Sequence, residues 1–156
     1  MPCDSVVGES KMIEITGLKG EFEVFLYDAG KRLKAYRHVK NLTVSAGFHA
    51  VCDMMGGGGA VPFGSCAIGT GTIAPALGDT ILQSEIARVQ GGYTRTADTV
   101  WKNDATFGAG TGTGAITESG LFNDSSTGTL LCRQTFAVIN KGAPDTLVIT
   151  WQYSLS

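Results

Sequence analysis

The chain has 156 residues, 43% of them hydrophobic and only 17% charged, with a formal net charge of −2. That length suits one domain, residues 1–156, with a core of its own, and the charge balance excludes a general attraction to nucleic acid or an anionic membrane. Charge below the roughly 25% of ordinary soluble domains leaves more neutral surface for partners to bury, which leans toward an assembling protein.

The opening "MPCDSVVGES" lacks the basic and apolar regions of a secretory signal, so none is expected. No apolar run approaches the roughly 20 residues of a membrane span. Cys3, Cys52, Cys66 and Cys132 are scattered without a C-x-x-C pair and read as thiols behaving as small buried hydrophobes, with pairing left open. The 22 glycines, with frequent Thr, Ser and Val, favour strands joined by turns.

Residues 1–12 read as an extended N-terminal arm, and "KMIEITG" (11–17) alternates as a short first strand. "GEFEVFLYDAGKRLKAYRHVKNLTV" (20–44) is a hairpin whose turn chemistry comes from Asp28 and Gly30. A two-residue Ala29-Gly30 loop would set Leu26 opposite Leu33 and Val24 opposite Ala35. "SAGFHAVCDMMGGGG" (45–59) then switches period. Ser45 is the expected N-cap, Phe48, Val51, Cys52 and Met55 form the core-facing stripe, and Gly56 ends a helix over about 45–55. "PFGSCAIG" reads as a strand ending at Gly69.

Beyond residue 88 the pattern is again β. "GYTRTADTVWKNDATF" is rich in Thr, Val and aromatics, and "GAGTGTGA" (108–115) reads as a flexible loop too polar to bury anything. "ITESGLF", "TLLCRQTFAVI" and "TLVITWQYSL" follow as strands between turn residues. The expected fold is mainly β, a jelly-roll-like antiparallel sandwich with one short helix.

Several chemistries are weighed and set aside. Gly69-x-Gly71-x-x-Ala74 matches the letter of a dinucleotide fingerprint, but Pro75 and Gly78 forbid the long helix that would carry a pyrophosphate. His49, Cys52 and Asp53 share a helical spacing, yet no fourth ligand with zinc-site spacing accompanies them. His38 and His49, the two histidines, lie in no nucleophile or metalloprotease motif. Fourteen carboxylates allow a chance acid pair, but nothing singles out two. No catalytic, cofactor or metal residue is therefore expected. The basic run with Lys31, Arg32, Lys34 and Arg37 has three readings. In order of preference they are a charged edge offset by Glu21 and Glu23, a docking patch for an acidic protein, and a nucleic-acid strip with Tyr36 stacking.

The elements "GTGT-x-A-P-x-x-x-D-T-x-L-x-x-E-x-x-R" (69–88) and "E-x-G-L-F" (118–122) carry a resemblance. Taken with "NLTVSAGFHAVCDMM" and "NKGAPDTLVITWQYSL", they make residues 41–155 similar to small structural proteins of tailed bacteriophages, nearest to the capsid cement, or decoration, proteins. That resemblance implies a homotrimer on the outside of the assembled head, clamping major capsid proteins, assembled in the bacterial cytoplasm and without catalytic residues. Tail- or fibre-associated proteins with similar motifs supply the alternative. The arm and the glycine loops 56–62 and 108–115 are the expected contact segments.

Under that reading Gly69 and Gly71 let a core strand leave its sheet, and Pro75 and Gly78 shape a fixed crossing. Asp79 and Thr80 bond its backbone. Leu82 and Ile86 anchor it, and Glu85 and Arg88 pair with each other or across a subunit boundary.

Overall fold

The computed structural model describes residues 17–155. The arm and most of the "KMIEITG" strand lie outside them. The elements are β1 (Leu18–Tyr27), β2 (Leu33–Lys40), β3 (Leu42–Thr43), α1 (Ser45–Gly56), β4 (Ser65–Gly69), β5 (Glu85–Gln90), β6 (Gly92–Ala97), β7 (Val100–Phe107), β8 (Gly114–Phe122), β9 (Leu130–Lys141) and β10 (Thr146–Leu155). They form two five-stranded antiparallel sheets, ordered β2-β1-β10-β7-β6 and β3-β9-β8-β4-β5. The architecture is mainly β, an antiparallel sandwich with one short helix, as the sequence predicts.

Alternation builds the core. Phe22, Val24 and Leu26 face the same way as their register partners Trp151, Ile149 and Leu147, and all six are buried. The opposite sheet answers with Cys66, Ile68, Ile116, Leu121, Leu131, Cys132 and Ile139. Trp151 Nε1 reaches across to Cys66 Sγ at 3.2 Å, so the indole donor keeps a partner inside the core. Burial pushes the thiols of Cys66 and Cys132 up to about 11 and about 12, and both act as apolar filling.

The structure corrects five local expectations. The hairpin loop runs over residues 28–32, not two residues, because Asp28 accepts bonds from the Arg32 backbone N–H and Nε, both at 2.9 Å. Lys31 takes the left-handed position there, at φ 63°. The register accordingly pairs Leu26 with Ala35 and Val24 with Arg37, with a bulge before Tyr27.

The helix spans the expected residues but is rotated. Gly47 and Ala50 are buried, Val51 and Met54 pack on the core, and Phe48, Cys52 and Met55 are exposed. A Cβ on Gly47 would lie 2.3 Å from the Leu131 carbonyl, so this glycine sets the face that meets β9. Val44, not Ser45, stands at the N-cap, without a side-chain bond.

The glycine stretch 108–115 is no loose loop throughout. Gly114 and Ala115 open β8, and Gly112 approaches Ile68 so closely that a Cβ would stand 2.5 Å from its Cδ1. Ile86 does not anchor the crossing; it is 41% exposed.

Candidate functional site

The outer face of the β3-β9-β8-β4-β5 sheet carries a second, smaller core of Val44, Ala67, Leu82, Phe122 and Leu130. Residues 70–84 leave β4, cross this face and return as β5. In the middle of the face stands Glu118 of β8, fully buried. A buried carboxylate is tolerated only when its lone pairs are filled. Here all four are. Oε1 accepts the backbone N–H of Gly71 (3.0 Å) and Ser84 (2.7 Å), and Oε2 accepts the N–H of Gln83 (3.0 Å) and Arg133 Nε (2.9 Å).

Arg133 of β9, 2% exposed, extends the clamp. Its Nη1 donates to Asp79 Oδ2 and its Nη2 to the Ile73 carbonyl, each at 2.9 Å. Asp79 Oδ2 also accepts the Ala76 N–H (2.9 Å), while Gln83 Oε1 accepts the N–H of Thr72 and Ile73, both at 2.8 Å. Thr117 Oγ1 donates to the Gly71 carbonyl at 2.7 Å. Both ends and the middle of the crossing are thus tied to one carboxylate and one guanidinium.

Gly69 and Gly71 owe their identity to crowding by this carboxylate together with the Ser84 carbonyl, 2.4 Å from a Cβ on Gly69, and Gln83 Cβ, 2.5 Å from one on Gly71. A Cβ on either would lie 2.5 Å from Glu118 Oε1, while neither glycine takes a left-handed φ. Space, not backbone conformation, excludes a side chain. Pro75 sits half-buried ahead of the Ala76–Asp79 turn, and Gly78 has open space around it. The crossing is irregular, as Pro75 and Gly78 predict.

Glu85 and Arg88 pair with each other, Nε to Oε1 at 2.9 Å and Nη2 to Oε2 at 2.7 Å. Arg88 Nη1 also donates to the carbonyls of Asp124 (3.0 Å) and Thr127 (2.7 Å), and the guanidinium lies 3.6 Å above the Phe122 ring. It fastens the 123–129 turn to the sheet. Asp124 caps that turn from within, and the backbone N–H groups of Thr127 and Ser126 hold its carboxyl down at about 2.

The four basic residues do not gather into one patch. Arg32 pairs with Asp28, and Lys34 Nζ bonds the buried Asp145 at 2.7 Å. That ammonium holds the Asp145 carboxyl below its ordinary value. Arg37 turns toward the other sheet and donates to the carbonyls of Ala137 and Val138, both at 3.2 Å. Lys31 occupies the turn. Glu21 and Glu23 bond His38 and Tyr36 and none of these four basic residues.

Sequence reasoning passed over Glu118 and Arg133 as individual residues. The available signal was a glutamate and an arginine inside two strands expected to pack in the core, "ITESGLF" and "TLLCRQTFAVI", where a charge needs an ionic partner. Among the described residues no three His, Cys, Asp or Glu side chains converge as a bound cation would require, and His49, Cys52 and Asp53 are all exposed.

Outward, the crossing presents two isoleucines among polar side chains that include Asp79, Thr80 and Gln83. Ile73 and Ile81 are 64% and 69% exposed and frame a shallow hollow of about 300 Å³ with Arg133 among its lining residues. Comparisons with protein-family models, curated proteins and solved structures return no match for this chain.

Proposed function

We propose that the protein is a structural component of a tailed-phage virion. In this reading it is a cement protein that binds the outside of the assembled head as a homotrimer and bridges neighbouring major capsid proteins. The observation that carries the reading is the pair Ile73 and Ile81, exposed on a crossing whose backbone is tied to the buried Glu118 and Arg133 at Gly71, Ile73, Gln83 and Ser84. A loop free to move would turn such side chains inward. Glu118 and Arg133 prevent that, and an apolar surface fixed in advance suits docking because little ordering entropy remains to be lost.

Support also comes from where the resembling motifs fall. Gly69 and Gly71 of the first meet Glu118 of the second in the clamp, Asp79 is joined to it through Arg133, and Glu85 and Arg88 fasten the adjacent turn. All of them serve shape. Glu118 has no lone pair left for a substrate proton. A cement protein needs a rigid body with fixed contact points. Packed DNA presses outward on the shell, and ligands that bind only the closed shell stabilise it by mass action.

Sedimentation of the purified protein with empty phage heads tests the reading. Comigration of a trimeric species with the heads supports it. A monomer that stays behind contradicts it, and comigration with isolated tails instead moves the protein to the tail alternative.

A further inference from the structure

Among the described residues the two sheets end in four edge strands, β2 and β6 on one sheet, β3 and β5 on the other. An edge strand offers a row of unpaired N–H and C=O groups to any strand that fits, and proteins guard such rows with charge, brevity or bulges. Three of the four are guarded in these ways. β2 carries Lys34, Arg37, His38 and Lys40, β3 has two residues, and β5 carries Glu85 and Arg88 and pairs with β4 through a register shift. β6, "GYTRTA", has Arg95 as its one charge and is exposed at every position. Its register shift against β7 comes only after Arg95, which leaves Gly92–Arg95 regular.

The side chains of this regular run are self-complementary. Tyr93 and Arg95 stand opposite Asn103 and Trp101, on the core side of the sheet, and Tyr93 is 68% exposed with its ring 6.3 Å from that of Trp101. Thr94 points to the other side. When two copies of one strand pair antiparallel about a two-fold axis, each side chain meets one of its own face, so Tyr93, Thr94 or Arg95 lies on the axis. Arg95 there would set two guanidinium groups opposite each other. Tyr93 there would leave both arginines opposite Gly91, without a partner. Thr94 there sets Thr94 against Thr94 and Tyr93 against Arg95 twice, a hydroxyl pair and two cation–π pairs. The two arginines then lie diagonal to each other, Lys102 and Asp104 stand one strand back on β7, and Asp98 lies beyond the paired run. No like charges are directly opposed.

We propose that β6 pairs antiparallel with β6 of a second copy, with Thr94 at the two-fold axis, joining two five-stranded sheets into one of ten strands. The second copy is the occupant because the same strand supplies both the cation and the ring. β6 belongs to the sheet that does not carry the Ile73–Ile81 crossing, so this contact does not rest on the virion reading and leaves the crossing free for a contact of its own.

Sedimentation of the full-length protein over a concentration series up to about 1 mM tests it, because so short a ladder associates weakly. Thr94→Glu sets two carboxylates opposite each other across the axis, while within its own chain the new side chain lies beside Lys102, so the fold keeps a favourable pair. This substitution should weaken association at least about tenfold. The sedimenting mass should halve, from dimer to monomer or, where a threefold contact also forms, from hexamer to trimer. Thr94→Lys should do the same, and an equimolar mixture of the two variants should recover the parent's mass, because only this register opposes residue 94 to itself. Leu33→Glu, exposed on the β2 edge, should leave the mass unchanged. A parent whose mass is insensitive to Thr94→Glu overturns the proposal, and a trimer that resists the substitution does so while leaving the virion reading standing. A parent that is monomeric throughout the series, a mixture that does not reassociate, or an equal response to Leu33→Glu also overturns it.

Discussion

Arg133 lies diagonally across the β8–β9 ladder from Glu118, its Nε donating to Glu118 Oε2 at 2.9 Å, with neither residue more than 2% exposed. Neither would be stable at its position alone. Together they turn two buried charges into a fastener for fifteen residues of irregular backbone, whose own N–H and carbonyl groups complete the coordination.

Removing one partner should therefore cost far more than an ordinary surface substitution. Arg133→Met leaves the carboxylate buried without a cation and is expected to destabilise by about 3–5 kcal/mol, read from urea or thermal unfolding. Arg133→Lys restores the charge but not the fork that reaches Glu118, Asp79 and the Ile73 carbonyl together, so it should recover only part of the loss. Full recovery by lysine would show that charge alone matters.

The glycines of the crossing should divide by neighbourhood. Gly71→Ala places a methyl 2.5 Å from Glu118 Oε1 and should destabilise by about 1–3 kcal/mol. Gly78→Ala meets nothing within 4 Å and needs no left-handed φ, so it should be neutral or stabilising by up to about 1 kcal/mol. Paired melting curves decide the matter, and equal effects would remove the role assigned to Glu118.

Asp124 gives a pH signature. Its carboxyl is held at about 2 against an ordinary 3.8, chiefly by the backbone N–H groups of Thr127 and Ser126. A folded value below the unfolded one means that its contribution is complete above the ordinary value and lost as pH falls toward 2. The amide resonances of Ser126 and Thr127 should titrate with a midpoint near 2. A midpoint near 3.8 would mean that the turn does not hold the carboxylate.

The proposed docking surface should be separable from the fold. Ile73→Ser/Ile81→Ser touches exposed side chains only and should change stability by no more than about 0.5 kcal/mol per site. The same variant should bind phage heads at least tenfold more weakly, measured by cosedimentation. Undiminished binding would place the contact elsewhere on the molecule.

Much of this fold is legible in the sequence because alternation dictates it. In β10, Leu147, Ile149, Trp151 and Tyr153 are buried at every second position, as "TLVITWQYSL" announces. The helix is legible in extent and not in face. Phe48 and Met55 are the more hydrophobic stripe, but the close approach of Gly47 to Leu131 turns Ala50, Val51 and Met54 to the sheet. Likewise the Asp28–Arg32 bonds, invisible to a periodicity argument, lengthen the hairpin loop and bring Arg37 to the Ala137 and Val138 carbonyls. For the clamp, the sequence exposes Gly69, Gly71 and Asp79 as a motif. Their partners lie 47 or more positions further on, Glu118 for the two glycines and Arg133 for Asp79, and only the β4–β8–β9 register brings them together.

The proposed virion role is most directly tested by electron cryomicroscopy of a tailed-phage particle assembled in the presence of this protein. The account predicts threefold density on the outside of the head, spanning major capsid protein boundaries, into which the two-sheet sandwich fits with Ile73 and Ile81 against the shell. Density for the protein confined to the tail, or a particle with no copy of it, would contradict the account.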